Sequence, residues 1–85
     1  MNQTIHFPDR DEWDEASDSV IFPVLINGFQ AQCVMYASGL KARYGGEYAE
    51  QWIALFREHR WEIEELFERQ ILNEQDDETG RFVVY

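Results

Sequence analysis

The chain has 85 residues, with 17 acidic side chains against seven basic ones and a formal net charge of −10 at pH 7. A length of this order suffices for one domain that buries roughly two-thirds of its unfolded surface without a disulfide or structural metal. The acidic balance disfavours direct nucleic-acid binding, which draws on Lys and Arg at phosphates, and it repels anionic lipid.

No apolar run reaches the roughly 20 residues that a membrane helix needs. The start, MNQTIHFPDR, lacks the basic and apolar regions of a signal peptide. Cys33 is the single cysteine, so no internal disulfide can form, as suits a reducing compartment. The expectation is a single-domain cytoplasmic protein, residues 1–85, with no membrane association.

In TIHFP, residues 4–8, Ile5 and Phe7 alternate with His6, which predicts a short strand closed by Pro8. The acidic stretch that follows places Asp9 and Glu12 at capping-box spacing, which predicts one helical turn carrying Trp13. The strongest local signal is SVIFPVLINGFQAQCVMY. Asn27-Gly28 between two apolar runs predicts a type I′ hairpin, because both central residues must take positive φ. That turn pairs Ile26 with Phe29, Val24 with Ala31, Phe22 with Cys33 and Val20 with Met35, and all eight face the core. Ile21, Pro23, Leu25, Gln30, Gln32, Val34 and Tyr36 fall on the other, partly wet face. Pro23 has no N–H to give a neighbour, which predicts a sheet edge there.

SGLKARYGG reads as a two-turn helix with Ser38 as its cap and Gly45 as its stop. Residues 47–74 then carry a helical stripe of Ala49, Trp52, Ile53, Phe56, Ile63, Leu66, Phe67 and Ile71, interrupted at His59 and Arg60. One straight helix of this length would span roughly 40 Å, against a domain diameter of about 30 Å. The polar interruption therefore predicts a break, with His59 capping the second helix, Arg57 over the Trp61 ring, and Glu65 paired to Arg69. QDDETG is a turn, and RFVVY a last strand. The order β-β-β-α-α-α-β predicts an α+β two-layer domain, a small antiparallel sheet with helices on one face.

Three blocks, FPDRDEWDE, FPVLINGFQ and EQWIALFREHRWEIEE, occur in the order and at the spacing of the YrdB-like family. The chain resembles that family of small bacterial proteins over nearly its whole length. The resemblance implies a domain of unknown function and assigns no residue a role. Some members are encoded near shikimate-pathway genes, from which a regulatory role has been suggested.

The residues themselves show no catalytic constellation. His6, His59 and Cys33 lack zinc-site spacing, and the acidic loop departs from the EF-hand pattern at Trp13 and Asp14. Cys33 points to the core, Ser17, Ser19 and Ser38 lack a nucleophile elbow, and Gly45-Gly46 precedes no Lys-Ser or Lys-Thr. No enzyme activity, metal or cofactor is expected. The leading reading is an interaction or regulatory module, monomeric or weakly dimeric, with an unidentified protein partner. Its contact surface would be Pro23, Gln30, Gln32 and Tyr36, where a partner strand could add to the edge. The alternative is a transcription-linked regulator touching DNA through the basic cluster of Lys41, Arg43, Arg57, His59 and Arg60.

Overall fold

The computed structural model describes residues 3–85. Five strands and three helices follow the order β1 (Ile5–His6), β2 (Glu12–Asp14), β3 (Ser19–Ile26), β4 (Phe29–Tyr36), α1 (Ala37–Tyr44), α2 (Ala49–Glu58), α3 (Arg60–Leu72) and β5 (Phe82–Val84). The strands make one sheet of order β1-β3-β4-β5, and β2 pairs with β3 beside β1. The α+β two-layer reading holds, with two differences in the sheet.

The first difference is β2. Residues 12–14 form a strand where a helical turn was expected, with Trp13 opposite Val20. Pairing places the Trp13 ring on the core face, stacked on Trp52 with centroids 6.2 Å apart, a burial that outweighs local capping-box spacing. The second is β5, which runs parallel to β4, with Cys33 opposite Phe82 and Met35 opposite Val84. The helices intervene between these two strands, and parallel neighbours require such a long connection. The remaining strand pairs are antiparallel.

The hairpin forms in the expected register, with Ile26 opposite Phe29 and Phe22 opposite Cys33. Asn27 and Gly28 take φ of 52° and 85°, the double positive φ of a type I′ turn. Asn27 also binds the N-terminal segment: its N–H donates to Thr4 O at 2.8 Å, and its Oδ1 accepts from Thr4 N–H at 2.9 Å. The core joins Val20, Phe22, Val24, Cys33 and Met35 of the hairpin to Leu40, Phe56, Ile63, Phe67 and Ile71 of the helices. Phe29 departs from its expected burial and is 79% exposed. It sits at the hairpin tip, and a core-side position buries nothing unless another layer covers it.

Helix α1 starts two residues earlier than a cap at Ser38 would place it. Its cap position is Tyr36, without a side-chain cap bond, so Ser38 lies inside the helix and not at its cap. Gly45, with φ of 89°, closes the helix, and its N–H donates to Lys41 O. Gly39 has a packing reason: a Cβ there would lie 2.9 Å from the Tyr85 carbonyl carbon, so only glycine lets α1 approach the end of the chain this closely.

The long helical stretch breaks at His59, as expected. Length alone does not force the break, because the molecule extends 41 Å along its longest axis. What the break does is aim two apolar stripes at one core. Phe56 from α2 and Ile63, Phe67 and Ile71 from α3 all meet the hairpin.

Candidate interaction surface and the basic cluster

Pro23, Gln30, Gln32 and Tyr36 lie on the sheet face opposite the core. Strand parity dictates this, since alternate residues of β3 and β4 point to opposite sides. Gln30 and Gln32 are exposed, while Pro23 and Tyr36 are half-buried. Tyr36 stacks on Tyr85, with centroids 4.9 Å apart and planes 8° from parallel. A shallow recess of about 360 Å³ opens beside Pro23, Gln30 and Gln32, with Arg10, Asp11 and Glu12 on its far rim.

The edge at Pro23 is not open to an added strand, contrary to the sequence expectation. β1 pairs with Leu25 and Ile26, and β2 pairs with Ser19, Val20 and Ile21. Residues 22–24 are left as a short gap between them. Within that gap the even residues bond toward β4, so Pro23 alone presents its backbone outward. A proline there offers an acceptor and no donor, which closes the gap to strand pairing.

The basic cluster is held by acids. Arg57 Nη2 donates to Asp11 Oδ1 at 2.9 Å, and this bond holds the Arg57 guanidinium above its usual pKa. It does not lie over Trp61 in the described contacts. Arg60 donates through Nε to Glu64 at 2.8 Å and through Nη2 to Pro8 O at 2.7 Å. Its Nη1 lies 3.5 Å from Asp11. The Arg60 carbon also sits over the Phe56 and Phe22 rings, at 5.5 and 5.9 Å from their centroids. The i,i+4 pair on α3 is thus Arg60–Glu64; Glu65 and Arg69 make none among the described residues. Arg43 donates to Gly39 O within its own helix, and Lys41 is exposed. Asp11 and Pro8, which organise this network, were invisible to sequence reasoning because they lie about four dozen residues away with no local periodicity to mark them.

His59 does not cap α3 with its side chain. Its ring stacks instead on Tyr44, with centroids 3.9 Å apart and planes 2° from parallel. Glu62 accepts from Tyr44 Oη at 3.0 Å and stands 3.9 Å from His59 Nδ1. Burial, followed by this bond and the Glu62 charge, pushes the Tyr44 pKa up. The stack pins α1 against the junction. His59→Asn and His59→Ala should therefore lose similar stability, about 0.5–1.5 kcal/mol, while His59→Phe should be nearly neutral. Thermal melts of the three variants decide this. A neutral Asn variant would restore the capping account.

Cys33 faces the core, and burial pushes its thiol from 9.0 up to about 12. A thiol that ionises later in the folded state stabilises fully below pH 9.0. That contribution is lost as pH rises toward 12, because the unfolded chain releases its proton first. Alkylation by iodoacetamide at pH 8 should therefore track unfolding in urea. A fast reaction of the native protein would show that the site opens locally.

Among the described residues, no group of three His, Cys, Asp or Glu side chains converges as a metal site. Among the same residues, no helix is long and apolar enough to cross a membrane.

Fold and site together define a small α+β domain whose N-terminal segment is tied by arginines to a helix junction. The family model described as "Protein of unknown function (DUF1488)" matches residues 5–84, and the chain belongs to that family. It is 48% identical over 80 residues to the uncharacterized protein YrdB of Escherichia coli K12, covering 94% of each chain. It is 46% identical to YrdB of Shigella flexneri over the same span and coverage. A crystal structure of a DUF1488-family protein of unknown function from Shewanella loihica superimposes with a TM-score of 0.86 at 30% identity, covering 99% of this chain and 94% of that one.

Proposed function

We propose that this chain is a non-catalytic protein-interaction module of the cytoplasm, monomeric or weakly dimeric, which works from the helix-free face of its sheet. One observation carries the reading. Leu40, Phe56, Ile63, Phe67 and Ile71 of the three helices join the Phe22 face of the sheet, and the opposite face presents Ile21, Pro23, Leu25 and Tyr36 half-buried beside exposed Gln30 and Gln32. Val34, expected on this wet face, is instead buried at 1% exposure. Such a mixed, mostly uncharged surface suits the centre of a protein contact, where charges are depleted and aromatic residues enriched. The net charge of −10 favours a partner that is neutral or basic.

The test compares native co-purification by the wild type and by Leu25→Arg, which puts a charge on this face and spares the core. A partner recovered by the wild type and lost from the variant, at equal melting temperature, supports the reading. Equal recovery by both would place the contact elsewhere.

DNA contact through Lys41, Arg43, Arg57 and Arg60 finds no support in the geometry, since Asp11 and Glu64 neutralise the two junction arginines. Binding to random duplex at physiological salt should be weaker than the roughly 10⁻⁴–10⁻⁶ M of ordinary non-specific binders. A gel shift at micromolar protein, weakened by salt and by Arg57→Glu, would revive that reading.

A further inference from the structure

A second surface lies at the other edge of the molecule, between β1 and α3. A groove of about 390 Å³ runs there, with Ile5 and Phe7 along its strand side and Trp61, Glu64, Glu65 and Glu68 along its helix side. Trp61, Glu65 and Glu68 recur at helical spacing, so they form one continuous stripe beside the strand. Trp61 is 85% exposed, the most exposed of the large hydrophobic residues among those described. Glu64 is engaged by Arg60, but no ion pair among the described residues engages Glu65 or Glu68. The groove thus offers an unused aromatic face beside two unpaired carboxylates.

The strand side adds a directional feature. β1 is the end strand of the sheet. Asn27 N–H bonds Thr4 O, and His6 stands opposite Leu25, so alternation turns the N–H and C=O of Ile5 away from β3. With β3 the only strand paired to β1 among the described residues, these groups point outward at the sheet edge with no strand partner. The edge differs in this from the gap at Pro23, where the donor is missing.

We infer that this groove binds an extended, basic segment of a partner protein in which Lys or Arg alternates with apolar residues. A cationic side chain on the segment covers the Trp61 ring, where cation–π attraction adds to the nearby carboxylates. A second reaches Glu65 and Glu68, and the intervening apolar side chains rest on Ile5 and Phe7. The backbone of the segment bonds Ile5 as one more strand. Charge selects the occupant. An acidic segment would meet the unpaired glutamates and a surrounding charge of −10, and a second copy of this chain would meet the same repulsion.

The inference is independent of the sheet-face reading, and its test is separate. A fluorescein-labelled, amidated peptide of four Lys-Val repeats is titrated into the full chain and each variant at low salt, with affinity read from the anisotropy of the label. In the wild type, Trp61 emission and acrylamide quenching are followed as well. Trp13 and Trp52 are stacked on each other and half-buried, so a change in quenching reports chiefly on Trp61. The peptide should bind, shield Trp61 and lose affinity as salt is raised. The Glu-Val peptide should not bind. Trp61→Ala and the double variant Glu65→Lys/Glu68→Lys should each weaken binding at least about tenfold, a loss of roughly 1.4 kcal/mol. Both variants alter only exposed positions, so their melting temperatures should match the wild type. Methylating alternate peptide nitrogens should weaken binding through the lost edge bonds, and Leu25→Arg should leave it unchanged. Absence of binding by the Lys-Val peptide at low salt, or equal affinity for wild type and the Trp61 and glutamate variants, would overturn the inference.

Discussion

Phe22→Ala is expected to lower stability by about 3–5 kcal/mol, whereas Gln30→Ala should cost less than about 0.5 kcal/mol. The two residues sit in the same hairpin, and strand parity puts them on opposite faces. Phe22 is 1% exposed and lies at the meeting point of the layers. Its ring stands 5.0 Å from Phe56 and 5.0 Å from Phe67, edge-on to the latter, and 6.2 Å from Phe7. Truncation there would empty a space bounded by Phe7 just after β1, by α2 and by α3 together, and no single neighbour can collapse to fill it. It would also strip one of the two rings beneath the Arg60 guanidinium. Urea midpoints with unchanged slopes provide the measurement. Similar midpoints for the two variants would mean that the assigned faces are reversed.

Arg60→Ala is the second large effect, expected at about 2–4 kcal/mol, because it removes at once the bonds to Glu64 and Pro8 O and the packing on the Phe22 and Phe56 rings. The Arg60 side chain is 14% exposed, Asp11 is 13% exposed, and Pro8 O accepts from the Arg60 guanidinium as well as from Arg10 N–H. Arg60→Lys should recover little of the loss, since an ammonium cannot reproduce the planar fork that serves Glu64, Pro8 and Asp11 together. Arg57→Ala should change the midpoint little, because its pair with Asp11 is largely solvated. A double-mutant cycle of Arg60→Ala with Asp11→Ala should show strong coupling. Additive losses would mean that Arg60 acts through Glu64, Pro8 O and the Phe22 and Phe56 rings, without Asp11.

The two effects together explain why an acidic chain gathers Arg57, His59 and Arg60 at one helix junction. Arg60 threads between the aromatic core and the N-terminal segment, Arg57 holds Asp11 from outside, and His59 packs on α1 through Tyr44. The cluster is a clasp among three parts of the chain. Its charges are consumed inside the fold, which leaves the exposed acids of α3 to set the character of the outer surface.

Local chemistry made much of this legible from the sequence. Asn27-Gly28 dictates a type I′ turn through its backbone requirement, and a two-residue turn leaves one register for eight residues on each side. The apolar stripe on residues 49–71 identifies the helices, and its polar interruption marks the break at His59. These features depend on neighbours within a few residues. Tertiary structure decided the rest. Residues 12–14 became a strand because Trp13 could stack on Trp52, a partner 39 positions further along the chain. β5 lies parallel to β4 because the intervening helices carry the chain across the sheet before it returns. His59 took a ring partner in place of a capping role because α1 brought Tyr44 against it. The same holds for both candidate surfaces. The edge at Pro23 is closed because β1 and β2 both settle on β3, and the groove at Trp61 exists because α3 docks beside β1. Such pairings depend on which distant surfaces meet, and no local pattern in the chain encodes that choice.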